Sequence, residues 1–205
     1  MKYIDEITDT VIFDLGQVLL RYDWESYLKS FAYSKDQFET IADAVFRNED
    51  WEKGDEGIVT PVEWEALFVD NAPSYEDEIR NVFASMEQTI APMEYTEKWL
   101  AVFRDRGYRM FYLSNYSELM HEQTKKHMGF LDMFDGGIFS YQEKCIKPGP
   151  EIYQILLERY QINPETTVFF DDRPENVEAA EKFGIKGVVF TPRVAYEMLQ
   201  ESVEI

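Results

Sequence analysis

Five short apolar runs, each too brief for a helix, constrain the fold of this chain more than any other feature. They are Thr10 to Phe13, Arg109 to Leu113, Gly137 to Phe139, Thr167 to Phe170 and Gly187 to Phe190. Helix-like stretches separate the last four. Near-continuous apolar strands alternating with helices mark a parallel sheet covered on both faces, because crossover helices shield each face from water. The spacing predicts helices over about 92–106, 117–128, 150–160, 174–183 and 193–202. Pro148-Gly149-Pro150-Glu151 opens the third with proline in its first turn, where a missing N–H costs nothing. Pro174 opens the fourth, and Gly184 ends it. The expected fold is α/β, with a parallel sheet of about five strands covered by helices.

Between the first two strands, about seventy residues carry no strand signal, too many for a simple βα loop. Phe38, Ile41, Ala42, Val45 and Phe46 follow the i, i+3, i+4, i+7, i+8 spacing, and Ile79, Val82, Phe83 and Met86 repeat i, i+3, i+4, i+7. Each set predicts an amphipathic helix. Thr60-Pro61-Val62-Glu63 reads as a capping box with proline at the first helical position, opening a third helix with Leu67 and Phe68. Residues 21–91 are therefore expected to form a helical cap inserted into a core made of 1–20 and 92–205. Trp24, Tyr27, Phe31, Trp51, Trp64 and Phe68 are read as the packing of that cap. Arg47, Trp51 and a turn from Lys53 to Gly57 are its candidates for substrate contact.

Composition narrows the function. Forty acids against twenty Lys plus Arg give a formal net charge of −20, which disfavours nucleic acid and anionic membrane surfaces as partners. No run approaches the ~20 apolar residues of a membrane helix. The first ten residues are acidic, unlike a secretory signal, and the single Cys145 fits a reducing compartment, so a cytoplasmic location is expected. Cys145 is read as an inert thiol. His121 and His127 lie six apart, off the same-face spacing of paired ligands, and are expected at the surface.

Ligands of open α/β sheets bind outside the carboxyl ends of the strands. Asp14 follows the first strand, Ser114 and Asn115 the second, Lys147 lies in the loop after the third, and Asp171-Asp172 ends the fourth. Singly, each is a turn former, a cap or a solvated lysine. Together they bring a nucleophilic acid, a hydroxyl, one lysine and a second acid to one crevice, and phosphoryl transfer needs those parts. The segments VIFDLGQVLL, MFYLSN, KPGPEIY and VFFDDRPENV, in this order, resemble the haloacid dehalogenase (HAD)-like hydrolase superfamily. In detail they are most similar to alpha-D-glucose-1-phosphate phosphatases and the phosphatase domain of soluble epoxide hydrolase.

The resemblance implies a Rossmann-like core with a helical cap and a Mg²⁺-dependent phosphatase acting on a small phosphorylated metabolite, such as a hexose 1-phosphate. A carboxylate can form an aspartyl-phosphate and so divide hydrolysis into two displacements; Asp14 takes that role. Mg²⁺ would be held by Asp14, Asp172 and the backbone carbonyl of Gly16. Lys147 would neutralise nucleophile and phosphate oxygens, with Ser114 and Asn115 binding the phosphoryl group. Asp171 would contact the metal's waters, and Asn176 would hydrogen-bond Lys147 or a ligand. One position departs from the pattern. Many phosphatases of this superfamily carry a general acid two residues after the nucleophile, a contribution of ~10²–10⁴-fold, and here that residue is Gly16. Three readings stay open: a phosphatase for esters with stabilised leaving groups, a 2-haloacid dehalogenase, and a non-catalytic phosphometabolite-binding protein.

Overall fold

The computed structural model of the chain describes residues 2–203. Its centre is a parallel sheet of β1 (Thr10–Phe13), β4 (Arg109–Ser114), β5 (Gly136–Phe139), β6 (Thr167–Asp171) and β7 (Lys186–Val189), in the order β5-β4-β1-β6-β7. The five apolar runs are therefore the five strands, within a residue or two at each end. β1 lies in the middle, paired with β4 on one edge and β6 on the other. The chain builds outward from β1 to β4 and β5, then returns to the opposite side for β6 and β7. That reversal opens a crevice at the carboxyl end of β1, and Asp14 is the next residue.

Alternation along β1 divides the interior. Ile12 points to one face, where it packs with Phe111 and Phe169 against Ile152, Tyr153 and Leu156 of α9 (Pro150–Tyr160) and Ala179 and Ala180 of α10 (Pro174–Glu181). Val11 and Phe13 point to the other, under α6 (Thr96–Arg104) and α11 (Pro192–Val203). Phe13 meets the rings of Trp99 and Phe103 edge-on, at 5.1 and 5.2 Å between centroids. Each large apolar side chain so buried contributes ~1.5–3 kcal/mol. α7 (Glu118–Thr124) and α8 (Ser140–Glu143) complete the α/β part.

Between β1 and β4 the chain is mainly helical: α1 (Trp24–Ser30), α2 (Lys35–Val45), α3 (Asp50–Glu56), α4 (Pro61–Asn71) and α5 (Glu76–Phe83). The Thr60 capping box is present, with the Thr60 hydroxyl accepting from the Glu63 amide and Glu63 accepting from the Thr60 amide. Three features differ from the sequence expectation. The segment also carries strands, β2 (Leu20–Tyr22) and β3 (Ile90–Pro92), which pair antiparallel at its base. They are too short to show a period, and their pairing spans the whole insert. Lys53 to Gly57 is not a turn; it is the end of α3, closed by Gly57 at φ 70°. His121 is not a free surface residue; its ring packs 4.2 Å from Phe139, and Nδ1 lies 3.0 Å from the Tyr141 hydroxyl.

The aromatic residues of the insert pack on one another. Trp51 meets Trp64 at 5.2 Å and Trp64 meets Phe83 at 5.7 Å. Trp24 is capped by the Arg47 guanidinium at 5.1 Å. The insert docks on the α/β part where α3 meets α8: the Ser140 hydroxyl donates to the Asp55 carbonyl, and Lys144 Nζ donates to the Gly57 carbonyl. No described helix is long and apolar enough to cross a membrane.

Candidate active site

The loop after β1 sets the position of Asp14. Its amide donates to the Phe170 carbonyl at 2.9 Å, holding it in register with β6. The chain then reverses tightly, with the Leu15 carbonyl accepting from the amides of Leu19 and Leu20 at 2.9 and 2.7 Å. Gln17 takes the left-handed conformation at φ 54°, and its side chain donates to the Tyr22 carbonyl at 2.9 Å. That bond offsets part of the cost of a non-glycine residue there.

Lys147 is 2% exposed and joins two acids, its Nζ lying 2.9 Å from Asp14 Oδ1 and 2.6 Å from Asp171 Oδ2. Burial pulls the Lys147 pKa down, but the two carboxylates outweigh it and hold the ammonium charged. Asp171 is fully buried and accepts from the Arg173 amide at 2.9 Å and from Asn176 Nδ2 at 3.1 Å to each oxygen. It is thus an anchor of Lys147 that the sequence reading placed beside the metal's waters. Asn176 Nδ2 bonds Asp171 rather than Lys147, and the residue also lines the cavity, where the expected contact with a ligand would be made. Asn115 uses its amide on the backbone of Lys147, donating to the carbonyl at 2.9 Å and accepting from the N–H at 2.8 Å. Ser114 is buried at the end of β4 and does not line the cavity above these groups.

Carboxylate oxygens of Asp14, Asp171 and Asp172 lie within 4.8 Å of one another. Three acids share one ammonium, an excess of negative charge that burial makes costly. Burial and the neighbouring acids raise the Asp14 pKa against the pull of Lys147, and burial and Asp171 raise that of Asp172. An all-oxygen donor set with excess negative charge, half-open on the Asp172 side, suits a hard divalent cation such as Mg²⁺. Gly16 lines the same cavity, and so can offer its carbonyl from the Asp14 side.

The cavity has a volume of about 350 Å³. Its floor is Asp14, Lys147, Asp172 and Asn176, and its walls include Tyr22, Phe46, Trp51, Ile90, Tyr116 and Met120. Gln17, Asn48, Glu52, Asp55, Ser117 and Arg173 add polar groups. Of the cap candidates, Trp51 lines it, Asp55 represents the Lys53 to Gly57 segment, and Arg47 turns away to Glu39 and Asp43 at 2.8 and 3.2 Å. Sequence reasoning missed Tyr22, Tyr116 and Met120, which carry no motif. Cys145 is half-buried, and burial with nearby acids raises its thiol pKa, as suits an inert residue.

A family model described as haloacid dehalogenase-like hydrolase matches residues 8–184. A sesquiterpene phosphatase of Aspergillus oryzae is 25% identical over 184 residues, covering 90% of each chain. The D-ribitol-5-phosphate phosphatase of Bacteroides thetaiotaomicron is 22% identical over 210 residues, 93% of this chain and 95% of that protein. The crystal structure of a HAD family enzyme from the same bacterium, in complex with magnesium and inorganic phosphate, has a TM-score of 0.71 at 24% identity, covering 90% of this chain and 93% of that one. At that identity, the structural likeness speaks for the fold.

Proposed function

This chain belongs to the haloacid dehalogenase-like hydrolases, and from that premise we propose that it is a Mg²⁺-dependent phosphatase of a small phosphate ester. One observation carries the reading: Asp14, at the carboxyl end of the central strand, touches Lys147 and shares a cluster with Asp171 and Asp172. Attack on carbon by a dehalogenating carboxylate needs no metal ion of the kind such a cluster of acids can hold. Phosphoryl transfer does need one, because nucleophile and phosphate repel each other. The phosphatases of Aspergillus oryzae and Bacteroides thetaiotaomicron support the same chemistry.

In this reading, residues 21–91 act as a cap over the crevice, and Asp14 is the nucleophile, forming an aspartyl-phosphate that water then hydrolyses. Lys147, anchored by Asp171 and Asn115, neutralises the attacking carboxylate and one phosphoryl oxygen. Ser114, buried at the end of β4, does not line the cavity, so Asn115, which does, represents that strand end at the phosphoryl group. Mg²⁺ held by Asp14, Asp172 and the Gly16 carbonyl would supply further charge neutralisation of the phosphoryl oxygens. The aromatic and aliphatic walls take the organic part of the ester, and their apolar character favours a less polar group than a hexose.

The experiment is release of inorganic phosphate with Mg²⁺ from p-nitrophenyl phosphate, hexose 1-phosphates and prenyl phosphates, in wild type and Asp14→Asn. Turnover abolished in the variant is expected. Halide release from 2-chloropropionate in the presence of EDTA, with no phosphate released from any ester, would sink the reading.

A further inference from the structure

The cavity holds an ionisable group that this chemistry leaves without a task. Asp55 lines it together with Asp14, Lys147 and Asp172, but comes from the insert, one turn after Trp51 on α3. It stands outside the acidic cluster of Asp14, Asp171 and Asp172. It shares the cavity lining with Tyr22 of β2 and Tyr116 of the loop after β4, whose phenols are raised by burial first and by the Asp55 charge after it. Its backbone is held on the α/β part by Ser140, with Lys144 fixing Gly57 two residues on. The seat of α3 on α8 therefore sets the position of this carboxyl.

In-line displacement places the leaving oxygen on the far side of phosphorus from the attacking one. Asp14 attacks from the end of the sheet, so the leaving group points toward the insert, the side from which Asp55 enters the cavity. The usual place for an acid, two residues after the nucleophile, is Gly16, where an added Cβ would meet only Asp14 Oδ2, at 3.9 Å. We infer that Asp55 is the general acid–base catalyst of the reaction, supplied by the insert in place of the acid missing at position 16. The inference rests on the phosphatase reading of the site.

In the first displacement, an Asp14 oxygen bonds to phosphorus and the bond from phosphorus to the ester oxygen breaks. The departing oxygen keeps the electron pair and takes the Asp55 proton, leaving as the alcohol. In the second, the Asp55 carboxylate takes a proton from water as the water oxygen bonds to phosphorus. The bond to Asp14 breaks, inorganic phosphate leaves, and both carboxyls regain their starting states. The surroundings of Asp55 suit both tasks. Burial, then Glu52 on its own helix and Asp14 across the cavity, raise its pKa, while the Trp51 indole and Arg173 oppose them, for a balance at about 7. A carboxyl poised near neutrality can give the proton and take it back.

The test compares first-turnover rates of the full chain with Mg²⁺ on p-nitrophenyl phosphate, whose leaving group needs no proton, and n-hexyl phosphate, whose leaving group does. Asp55→Asn is expected to release the first equivalent of p-nitrophenolate at close to the wild-type rate and then to stall, with the phosphoenzyme accumulating. Its first turnover on n-hexyl phosphate is expected to fall ~10²–10⁴-fold. Equal losses on the two esters, or no loss on either, would overturn the inference. Should Asp55→Asn not fold, a series of aryl and alkyl phosphates with the wild type decides: weak dependence of the first turnover on leaving-group pKa supports an acid, and steep dependence overturns it. Failure of the phosphatase reading shows separately, as wild type that releases phosphate from neither ester or Asp14→Asn that keeps the activity, and either result removes both.

Discussion

Asn115 holds Lys147 by its backbone at both ends, donating to the carbonyl at 2.9 Å and accepting from the N–H at 2.8 Å. The lysine that bridges Asp14 and Asp171 is thus positioned from the neighbouring strand end. Asn115→Ala leaves both backbone groups without partners, at a cost of about 1–3 kcal/mol each where water cannot reach them. Phosphatase kcat is expected to fall ~10–100-fold while the chain still folds. Steady-state kinetics beside thermal melting checks this; full activity in a folded variant would contradict the positioning role.

Lys147→Met removes the ammonium from between two buried carboxylates. Breaking a buried pair by deleting one partner costs about 3–5 kcal/mol, because the other charge stays desolvated. Denaturant titration is expected to show that loss near neutral pH. The loss should shrink at pH 4, well below the value of about 7 to which burial raises Asp14, because that carboxyl then carries a proton. A variant as stable as wild type at both pH values would count against the ion-pair geometry.

Metal removal offers a readout apart from turnover. A cation bound by Asp14, Asp172 and the Gly16 carbonyl stabilises the folded chain by mass action, ~2.7 kcal/mol at one hundred times its dissociation constant. Mg²⁺ should raise the melting temperature of wild type, EDTA should reverse the rise, and Asp172→Asn should blunt it. Equal Mg²⁺ shifts in wild type and variant would move the cation elsewhere.

Asp55 has its own pH signature. Its folded pKa of about 7 lies above the ordinary 3.8, so the folded chain keeps a proton that the unfolded chain gives up. Its contribution is therefore fully present below about pH 4 and is lost as pH rises toward 7. Asp55→Asn should melt like wild type at pH 4 and higher than wild type at pH 8, by ~2–4 °C for each kcal/mol of relieved strain. Equal melting at both pH values would show an ordinary solvated carboxyl.

Gly54→Ala should destabilise the insert even though alanine is the better helix former by ~1 kcal/mol. A Cβ at position 54 would fall 2.4 Å from Trp64, against a packed ring. Overpacking of this kind costs about 1–3 kcal/mol. Because α3 carries Asp55, alkyl phosphate turnover should fall as well; a more stable, fully active variant would contradict the packing described.

The sheet was legible because buried strands are apolar end to end and the acids stand just past them: Asp14, Asp171 and Asp172 all lie where the runs stop. Lys147 was found by its motif, but its partnership with Asp171 and the grip of Asn115 are contacts between segments, which spacing along the chain does not encode. Asp55 was legible only as part of the Lys53 to Gly57 candidate segment, with no task of its own, for a related reason. It lies in α3, whose seven residues DWEKGDE show no apolar stripe, and its task depends on where Ser140, eighty-five residues away, holds its backbone. β2 and β3 escaped for the same cause, since three-residue strands paired across the whole insert leave no local signal.

The Ser140–Asp55 contact also divides the site in two. β1, bonded on both edges, gives up its amides only when the whole sheet opens, so Asp14 and its lysine stand for as long as the protein is folded. Asp55 is kept over them by a hydroxyl and an ammonium on backbone carbonyls, bonds that water replaces at a net cost of about 0.5–1.5 kcal/mol each. The nucleophile is therefore held by the sheet itself, and the acid that completes it by a docking contact between two segments far apart in the chain.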